Sequence, residues 1–377
     1  MKAAILGTGR MGTAITWAMK ELGFDVVCVD ADHTMGDRLS LLLGDRNFVF
    51  YRTKHLMDDI HEIFGLEEPD VVISSLPYDQ LLEPAKYCIS QEYRYCDLGG
   101  RVDVSKDINE FASKHATVPV MTDLGLAPGW VNILTEEGCR KVVNATDVSM
   151  MVGGLPDYLQ STKNILRYFP TWSVAGLINE YRDDCQVLED GEIRIARGLE
   201  GHDRHIETQH LGALEAFYTS GGASHSLKSM QDRGVQNCSY RTLRYPGHRD
   251  MVKFLIRKCK LDDATLERIF VKGTHTDDPT YDCVIMISEV KNNDTGLSWR
   301  REILVKSDHL QHISSFTAMQ KATAFPIASV ASLMAEGKME GDRDQRRDFY
   351  TQYPNALTYK DIPTELFNDN LKKLNIL

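Results

Sequence analysis

The chain lacks several features that would commit it to large functional classes. No apolar run approaches the roughly 20 residues needed to cross a bilayer, so no membrane span is expected. There is no long basic tract, and a formal net charge of -11 repels a phosphate backbone, which argues against nucleic acid. The eight cysteines (Cys28, Cys88, Cys96, Cys139, Cys185, Cys238, Cys259 and Cys283) form no CxxC pair. Neither a zinc knuckle nor a redox dithiol is signalled, and reduced, mostly buried thiols are expected. Internal repeats and low-complexity tracts are missing too. The opening MKAAILGTGRMG is interrupted by Gly and Arg, with no cleavage segment after it, so a cytoplasmic chain is expected. The Nx[ST] sequons at Asn144, Asn237 and Asn293 then read as chance matches.

What is present is ordinary in bulk and specific in pattern. Apolar residues at 42% and charged residues at 26% are the proportions of a soluble globular protein. At 377 residues the chain exceeds what one core organises, which predicts two domains. An apolar strand from Ala3 to Leu6 runs straight into Gly7, Thr8, Gly9, Arg10, Met11 and Gly12. Ile15, Ala18, Met19 and Leu22 follow at helical spacing, and Gly23 supplies a left-handed cap. A second strand, Val26 to Val29, delivers Asp30 and Ala31 at its carboxyl end.

Each piece has a task in binding a dinucleotide. Gly7 permits a tight turn, Gly9 lets the backbone approach a pyrophosphate, and Gly12 lets the helix pack closely. The helix N-terminus faces the phosphates. Asp30 stands at the spacing where a carboxylate accepts hydrogen bonds from the adenosine ribose. With Asp32 it repels a 2'-phosphate, which predicts NAD over NADP, although Arg10 and Arg38 are nearby cations.

Strands at Phe48 to Tyr51, Val71 to Ser74, Tyr93 to Cys96 and Thr117 to Met121 alternate with helices from about Thr34 and over Leu56 to Phe64. That alternation predicts an α/β fold whose N-terminal part is a Rossmann doubly wound parallel sheet. Ser75, Leu76 and Pro77, with Ser74, should line the cofactor. Asp123, in TDLGLAPGWVNIL, lies past the last strand, where ligands of open α/β sheets bind. It is the best carboxylate to face a nicotinamide, and it also reads as a cap or turn residue.

The segments DLGLAPGWVNIL, MVGGLP (Met151 to Pro156), LEAFYTSGGAS (Leu214 to Ser224), TLRYPGH (Thr242 to His248) and TAMQKATAFPIAS (Thr317 to Ser329) occur in one order. Together they resemble the saccharopine dehydrogenase and L-lysine 6-dehydrogenase family, most closely its lysine 6-dehydrogenase branch. The resemblance implies a second α/β domain with a mixed sheet that carries a subunit interface, and a helix from near Ala318 that returns to the first domain. The divisions expected are 1–124, 125–316 and 317–377. A homodimer or higher homo-oligomer is implied. Two stretches depart from the family: DYLQSTKNILRYFPTWSVAGLINEY after GGLP, and Thr323, Ala324 and Phe325 where Thr-Gly-Phe is common. Both bear on substrate identity.

By the same resemblance the reaction is NAD-dependent oxidation of a carbon bearing an amine. The substrate is a small-molecule amino acid, with L-lysine at its side-chain amine foremost. Arg244 is the first choice to clamp a substrate carboxylate, because a guanidinium offers a planar fork of donors. A structural ion pair is its plainer use. Asp123, Tyr245 and His248 are the catalytic candidates, His248 because an imidazole near its ordinary pKa of about 6.5 suits proton transfer. Thr219, Ser220, Gly221 and Gly222 form a small-residue turn whose backbone N–H groups suit a carboxylate. His202, His205 and His210, and separately His309 and His312, fit no zinc signature, so no metal is expected.

Two other readings stay open. A saccharopine- or carboxyspermidine-type dehydrogenase acting on a secondary amine would need a second cation, for which Arg241 and Lys163 stand available. A non-catalytic NAD-binding sensor would bind cofactor without oxidising an amine. The charged run from Glu340 reads as solvated, and Asp361 to Leu377 as a short C-terminal helix whose packing the sequence does not decide.

Overall fold

The computed structural model describes residues 1–44, 46–156, 165–272, 282–308, 316–339 and 355–377. They divide into two compact units, the first built from Met1–Ile133, Phe316 and Gln320–Leu377, the second from Leu134–Leu310 and Thr317–Met319.

In the first unit, strands β1 (Lys2–Leu6), β2 (Asp25–Asp30), β3 (Val49–Arg52), β4 (Val71–Ser74), β5 (Tyr95–Asp97) and β6 (Val120–Met121) form one sheet in the order β3-β2-β1-β4-β5-β6. Every neighbouring pair is parallel. This is the doubly wound order whose direction reverses between β1 and β4, the point at which such sheets bind ligands. Between the strands run α1 (Arg10–Glu21), α2 (Thr34–Leu43), α3 (Leu56–Glu67), α4 (Leu82–Ser90) and α5 (Val102–His115). β1 and β4 are buried on both faces, as their unbroken apolar runs require. Leu6, Val29, Phe64, Val72, Ile89, Tyr95 and Ile108 share one core. Gly23 closes α1 at φ 87°, and Phe24 N–H reaches back to Met19 O at 3.0 Å.

The second unit takes up α6 (Trp130–Lys141) from its fifth residue onward and holds one eight-stranded mixed sheet. Its strands are β7 (Asp147–Pro156), β8 (Asp184–Glu189), β9 (Glu192–Arg197), β10 (Asp203–Thr208), β11 (Gly212–Tyr218), β12 (Asn237–Arg244), β13 (Asp282–Lys291) and β14 (Ser298–Lys306). The main path runs β10-β11-β12-β7-β13-β14, with β8 and β9 attached beside β12. β7 and β12 are parallel and the other pairs antiparallel. Helices α7 (Val174–Arg182), α8 (Ser226–Asp232), α9 (His248–Lys253) and α10 (Asp263–Lys272) complete it, and Leu177, Tyr181, Phe217, Val252 and Phe270 form a core there.

The late helix α11 (Ala318–Ala335) starts in the second unit, where the Asp282 carboxylate accepts the N–H groups of Ala318 and Met319 at 2.7 and 3.0 Å. From Gln320 on it belongs to the first unit, where Phe325 stacks on Trp17 of α1 at 5.4 Å between centroids. The tail packs on that unit as well: Val120 N–H donates to Asn355 O and Leu357 N–H to Val120 O, each at 2.8 Å. The last helix, α12 (Thr364–Lys373), is shorter than the expected 361–377. Pro363 stands at its N-cap, and a proline there lets a helix begin but not extend backwards. β6 covers only Val120–Met121, since Pro119 has no N–H to give a ladder. The run from Glu340, with Lys163, His309 and His312, lies outside the described residues.

Candidate functional site

The glycine turn after β1 is built as its sequence demands. Gly7 adopts φ 81°, which favours glycine. A Cβ on Gly12 would stand 1.9 Å from Gly7 O, so only glycine fits where the turn meets the helix. Around Gly9 a Cβ would meet nothing within 4 Å, so this side of the turn is open. α1 has no side-chain cap, and the N–H groups of Met11 and Gly12 make no hydrogen bond among the described residues. A bare first turn of this kind presents donors to an anion. Ser75 and Leu76 back the turn: Ser75 N–H donates to Leu6 O at 2.8 Å, and Leu76 Cδ2 comes within 3.1 Å of the Cβ position on Gly7. Pro77 and Ala31 are exposed.

Asp30 does more than the sequence indicates. Its Oδ2 accepts both the N–H and the hydroxyl of Thr8, at 2.5 and 3.0 Å, and its Oδ1 accepts Asp32 N–H at 2.9 Å. The Thr8 N–H is therefore taken by Asp30 and is not among the donors left for a phosphate. A carboxylate accepts about four hydrogen bonds, so one position on Asp30 remains for a ribose hydroxyl.

At the carboxyl ends of β5 and β6 two acids meet. Asp123, 3% exposed, has φ 62°, and its Oδ1 accepts the Ser105 hydroxyl at 2.6 Å. Tyr359 OH donates to its carbonyl at 2.9 Å. Asp97 is fully buried, and its Oδ1 accepts the N–H groups of Gly99 and Asp123 at 2.9 and 3.2 Å. Among the described residues no partner lies within full hydrogen-bond geometry of its Oδ2, of Tyr95 OH or of Ser74 Oγ, although the Tyr95 hydroxyl is close enough to act on the carboxyl. Burial, and then the Asp123 charge, push the Asp97 carboxyl up to about 7. Sequence reasoning passed over Asp97; the signal was an acid at a strand end before two glycines, in CDLGG.

In the second unit Arg244 lies at the end of β12, 3% exposed. Its Nε donates to Tyr181 OH at 3.1 Å, its Nη1 to Leu243 O at 2.9 Å, and its guanidinium sits 4.5 Å from the Tyr168 ring centroid. No carboxylate pairs with it among the described residues, and Nη2 has no partner yet is not sealed from solvent. A buried cation with no carboxylate in direct contact is costly, so an open donor there is a place for an anion.

His248 belongs to the same network. Its Nδ1 lies 2.8 Å from Leu166 O, which can only accept, so Nδ1 carries the proton and Nε2 accepts from Tyr181 OH at 3.0 Å. Burial first and Arg244 second lower its pKa to about 3. The near-neutral titration expected for His248 is therefore corrected: it is a neutral link in the order Arg244, Tyr181, His248. Tyr245 stands apart, its hydroxyl donating to Pro156 O at 3.0 Å. Thr219 shares a hydroxyl contact with Thr242 at 2.7 Å, and Gly221 takes φ 90°. The Ser220 N–H donates to Glu180 O at 3.1 Å, so that donor of the small-residue turn is not open to a ligand.

Arg241 is engaged by Ser149 at 3.1 Å and by Asp203 at 3.7 Å. His202 pairs with Glu215 at 3.1 Å and His205 with Glu207 at 2.6 Å. Among the described residues no group of three His, Cys, Asp or Glu side chains is placed to hold a metal, and no helix is long and apolar enough to cross a membrane. Six cysteines are buried, Cys139 is partly so and Cys259 is exposed; all are free thiols.

Among solved structures, the chain aligns with apo histidine-tagged saccharopine dehydrogenase (L-Glu forming) from Saccharomyces cerevisiae at 17% identity, covering 99% of this chain and 97% of that one with a TM-score of 0.72. The two share a fold. Apo scyllo-inositol dehydrogenase from Lactobacillus casei aligns at 10% identity over 100% and 94% of the chains, TM-score 0.44. Amine dehydrogenase from Mycobacterium smegmatis aligns at 9% over 89% and 92%, TM-score 0.41. Residues 125–346 match the family model of the saccharopine dehydrogenase C-terminal domain, more than half of the chain, and the protein belongs to that family.

Proposed function

We propose that the protein is an NAD-dependent dehydrogenase that oxidatively deaminates an amino acid, with L-lysine as substrate and its side-chain amine as the reacting group. The observation that carries this reading is Arg244: a fixed, buried cation with an unfilled donor and no carboxylate in contact with it among the described residues, as a substrate carboxylate requires. Tyr181 and the Tyr168 ring hold the guanidinium in one plane, so little order has to be gained on binding.

The residues of the first unit fit a dinucleotide. The open donors of Met11 and Gly12 would receive the pyrophosphate, and the free acceptor position of Asp30 a ribose hydroxyl. The charges of Asp30 and Asp32 oppose a 2'-phosphate, which favours NAD over NADP. When bound, the cofactor accepts the hydride from the carbon bearing the amine. The imine left on the substrate adds water and releases ammonia and an aldehyde. Of Asp123, Tyr245 and His248, the first has a neighbouring carboxyl titrating near neutrality, so the Asp97–Asp123 pair is assigned the proton leaving the amine. The protein is further proposed to be a cytoplasmic homodimer or higher homo-oligomer joined through the sheet of its second unit.

Purified protein with NAD and a panel of amino acids, followed by the absorbance of reduced cofactor, tests the assignment. Turnover of L-lysine above the other members is expected. Turnover of none of the diamino acids removes lysine, and turnover of saccharopine-like secondary amines alone selects the other dehydrogenase class.

A further inference from the structure

Residues 355–361 lie along the edge of the first sheet. Val120 exchanges hydrogen bonds with Asn355 and Leu357, and Ala356 bridges to it in parallel, so this segment extends the sheet beyond β6. A tight turn, Tyr359–Asp361, follows. It is closed by Thr358, whose N–H and hydroxyl donate to Asp361 Oδ2 at 2.8 and 3.0 Å. Tyr359 is buried, and its hydroxyl reaches the carbonyl of Asp123 at 2.9 Å.

Asp123 is thereby held from three elements. Its N–H goes to Asp97 Oδ1 at the end of β5, its carbonyl receives Tyr359, and its Oδ1 accepts the hydroxyl of Ser105 on α5 at 2.6 Å. The same Oδ1 lies 2.0 Å from where a Cβ would stand on Gly99, so the carboxylate fills the place a side chain there would take. Between these ties the backbone adopts φ 62°, a left-handed conformation that a residue other than glycine keeps only where its surroundings impose it. Released from them, Asp123 would relax toward negative φ and carry its carboxylate away from Ser105 and Gly99.

We propose that Tyr359 and Ser105 are positioning residues for Asp123: Tyr359 holds its backbone in the left-handed turn, Ser105 aims its carboxylate, and the segment carrying Tyr359 belongs to the catalytic apparatus. This rests on the assignment of the Asp97–Asp123 pair to the proton leaving the amine, and adds the groups that hold the pair in place. A general base acts only within hydrogen-bond reach of the proton it takes, so a displaced carboxylate slows the chemical step and leaves substrate affinity as it was. A tyrosine that served packing alone would show the opposite pattern, a lower melting temperature with kcat unchanged.

Steady-state rates with NAD and L-lysine, beside a carbon-13 NMR titration of the Asp97 carboxyl in aspartate-labelled protein, test this. Tyr359→Phe, which deletes one oxygen, is expected to lower kcat about 10-fold, with KM and NADH affinity within about twofold of the parent. Ser105→Ala should lower kcat similarly, and Ser105→Thr, which restores the hydroxyl, should recover most of it. After burial, the Asp123 charge is the main cause of the raised Asp97 carboxyl, and it outweighs the N–H bond from Asp123 that lowers it. In Tyr359→Phe the Asp97 midpoint is therefore expected below the parent value of about 7. Unchanged kcat in Tyr359→Phe overturns the proposal, whatever happens to its melting temperature, and so does an unmoved Asp97 midpoint. Thr358→Ala, which loosens the turn and leaves the Tyr359 ring in place, serves if Tyr359→Phe does not fold. If the parent turns over no amino acid, the oxidation chemistry fails, while the Asp97 midpoint still decides whether Tyr359 fixes the acid.

Discussion

The backbone N–H of Asp123 points at the side chain of Asp97, 3.2 Å from Oδ1, so the loop after β6 is fastened by the acid that ends β5. The same oxygen holds Gly99 N–H at 2.9 Å. One buried carboxyl thus sets two loops at the carboxyl edge of the sheet, and its charge state is coupled to their geometry.

Removing that charge should change stability with a definite pH sign. The Asp97 carboxyl is raised from 3.8 to about 7 in the folded protein, so the native state holds this proton more tightly than the unfolded chain. Its stabilising contribution is full below the unfolded value and is lost as pH rises through the folded one. Asp97→Asn, which never ionises, should therefore gain on the parent protein by up to about 4 kcal/mol above about pH 8, with the difference vanishing below about pH 4. Urea unfolding across that range measures it; a constant offset at all pH values would contradict the assigned titration. If the pair takes the substrate proton, kcat should also fall, by about 10-fold or more.

Gly12 tolerates no side chain. Its Cβ position lies 1.9 Å from a backbone oxygen, which cannot move aside as the end of a flexible side chain can. Gly12→Ala should cost about 2–4 kcal/mol and reduce NAD affinity at least about 10-fold by displacing the first turn of α1. Thermal unfolding and NAD titration check both parts. Gly9→Ala, with nothing within 4 Å of its Cβ position, should leave folding nearly unchanged and still weaken the cofactor.

Asp30→Ser would remove the carboxylate that opposes a 2'-phosphate and loosen Thr8 in the same step. The ratio of NAD to NADP affinity should drop by about 10- to 100-fold, read from Kd values at fixed salt. An unchanged ratio would mean that Asp30 serves the turn alone.

Tyr181→Phe deletes the hydroxyl between Arg244 and His248. Two buried groups then lose a partner, at about 1–3 kcal/mol each when unrelieved. KM for the amino acid should rise more than kcat falls, because the guanidinium loses its anchor. His248→Asn should disturb stability without moving the acid or base limbs of the rate profile, since His248 is neutral down to about pH 3.

The beginning of the fold was the most legible part of the sequence because its constraints are local. Gly7, Gly12 and Asp30 are fixed by contacts within one strand–helix–strand segment, and the pattern of residue types states them directly. Strand β4 falls on Val71–Ser74 as its apolar run implies. β5 instead slides to Tyr95–Asp97, because its register is set by its pairing with β4 and β6. Asp97 was missed for a related reason: it matters through groups brought beside it by other elements, and a lone acid in sequence looks like a solvated one. His248 shows the converse. Its residue type promised a titratable base, and only the packing of Leu166, Tyr181 and Arg244 around it fixes a neutral imidazole. Arg244 stood out in TLRYPGH, but that no described carboxylate touches it became visible only from the three-dimensional arrangement.

The most direct measurement is the stoichiometry of products when the purified protein is given NAD and L-lysine: reduced cofactor by absorbance and free ammonia by enzymatic assay, in one sample. Oxidative deamination requires equal amounts of the two, appearing together. Reduced cofactor without ammonia, or no reduced cofactor at all, would contradict it.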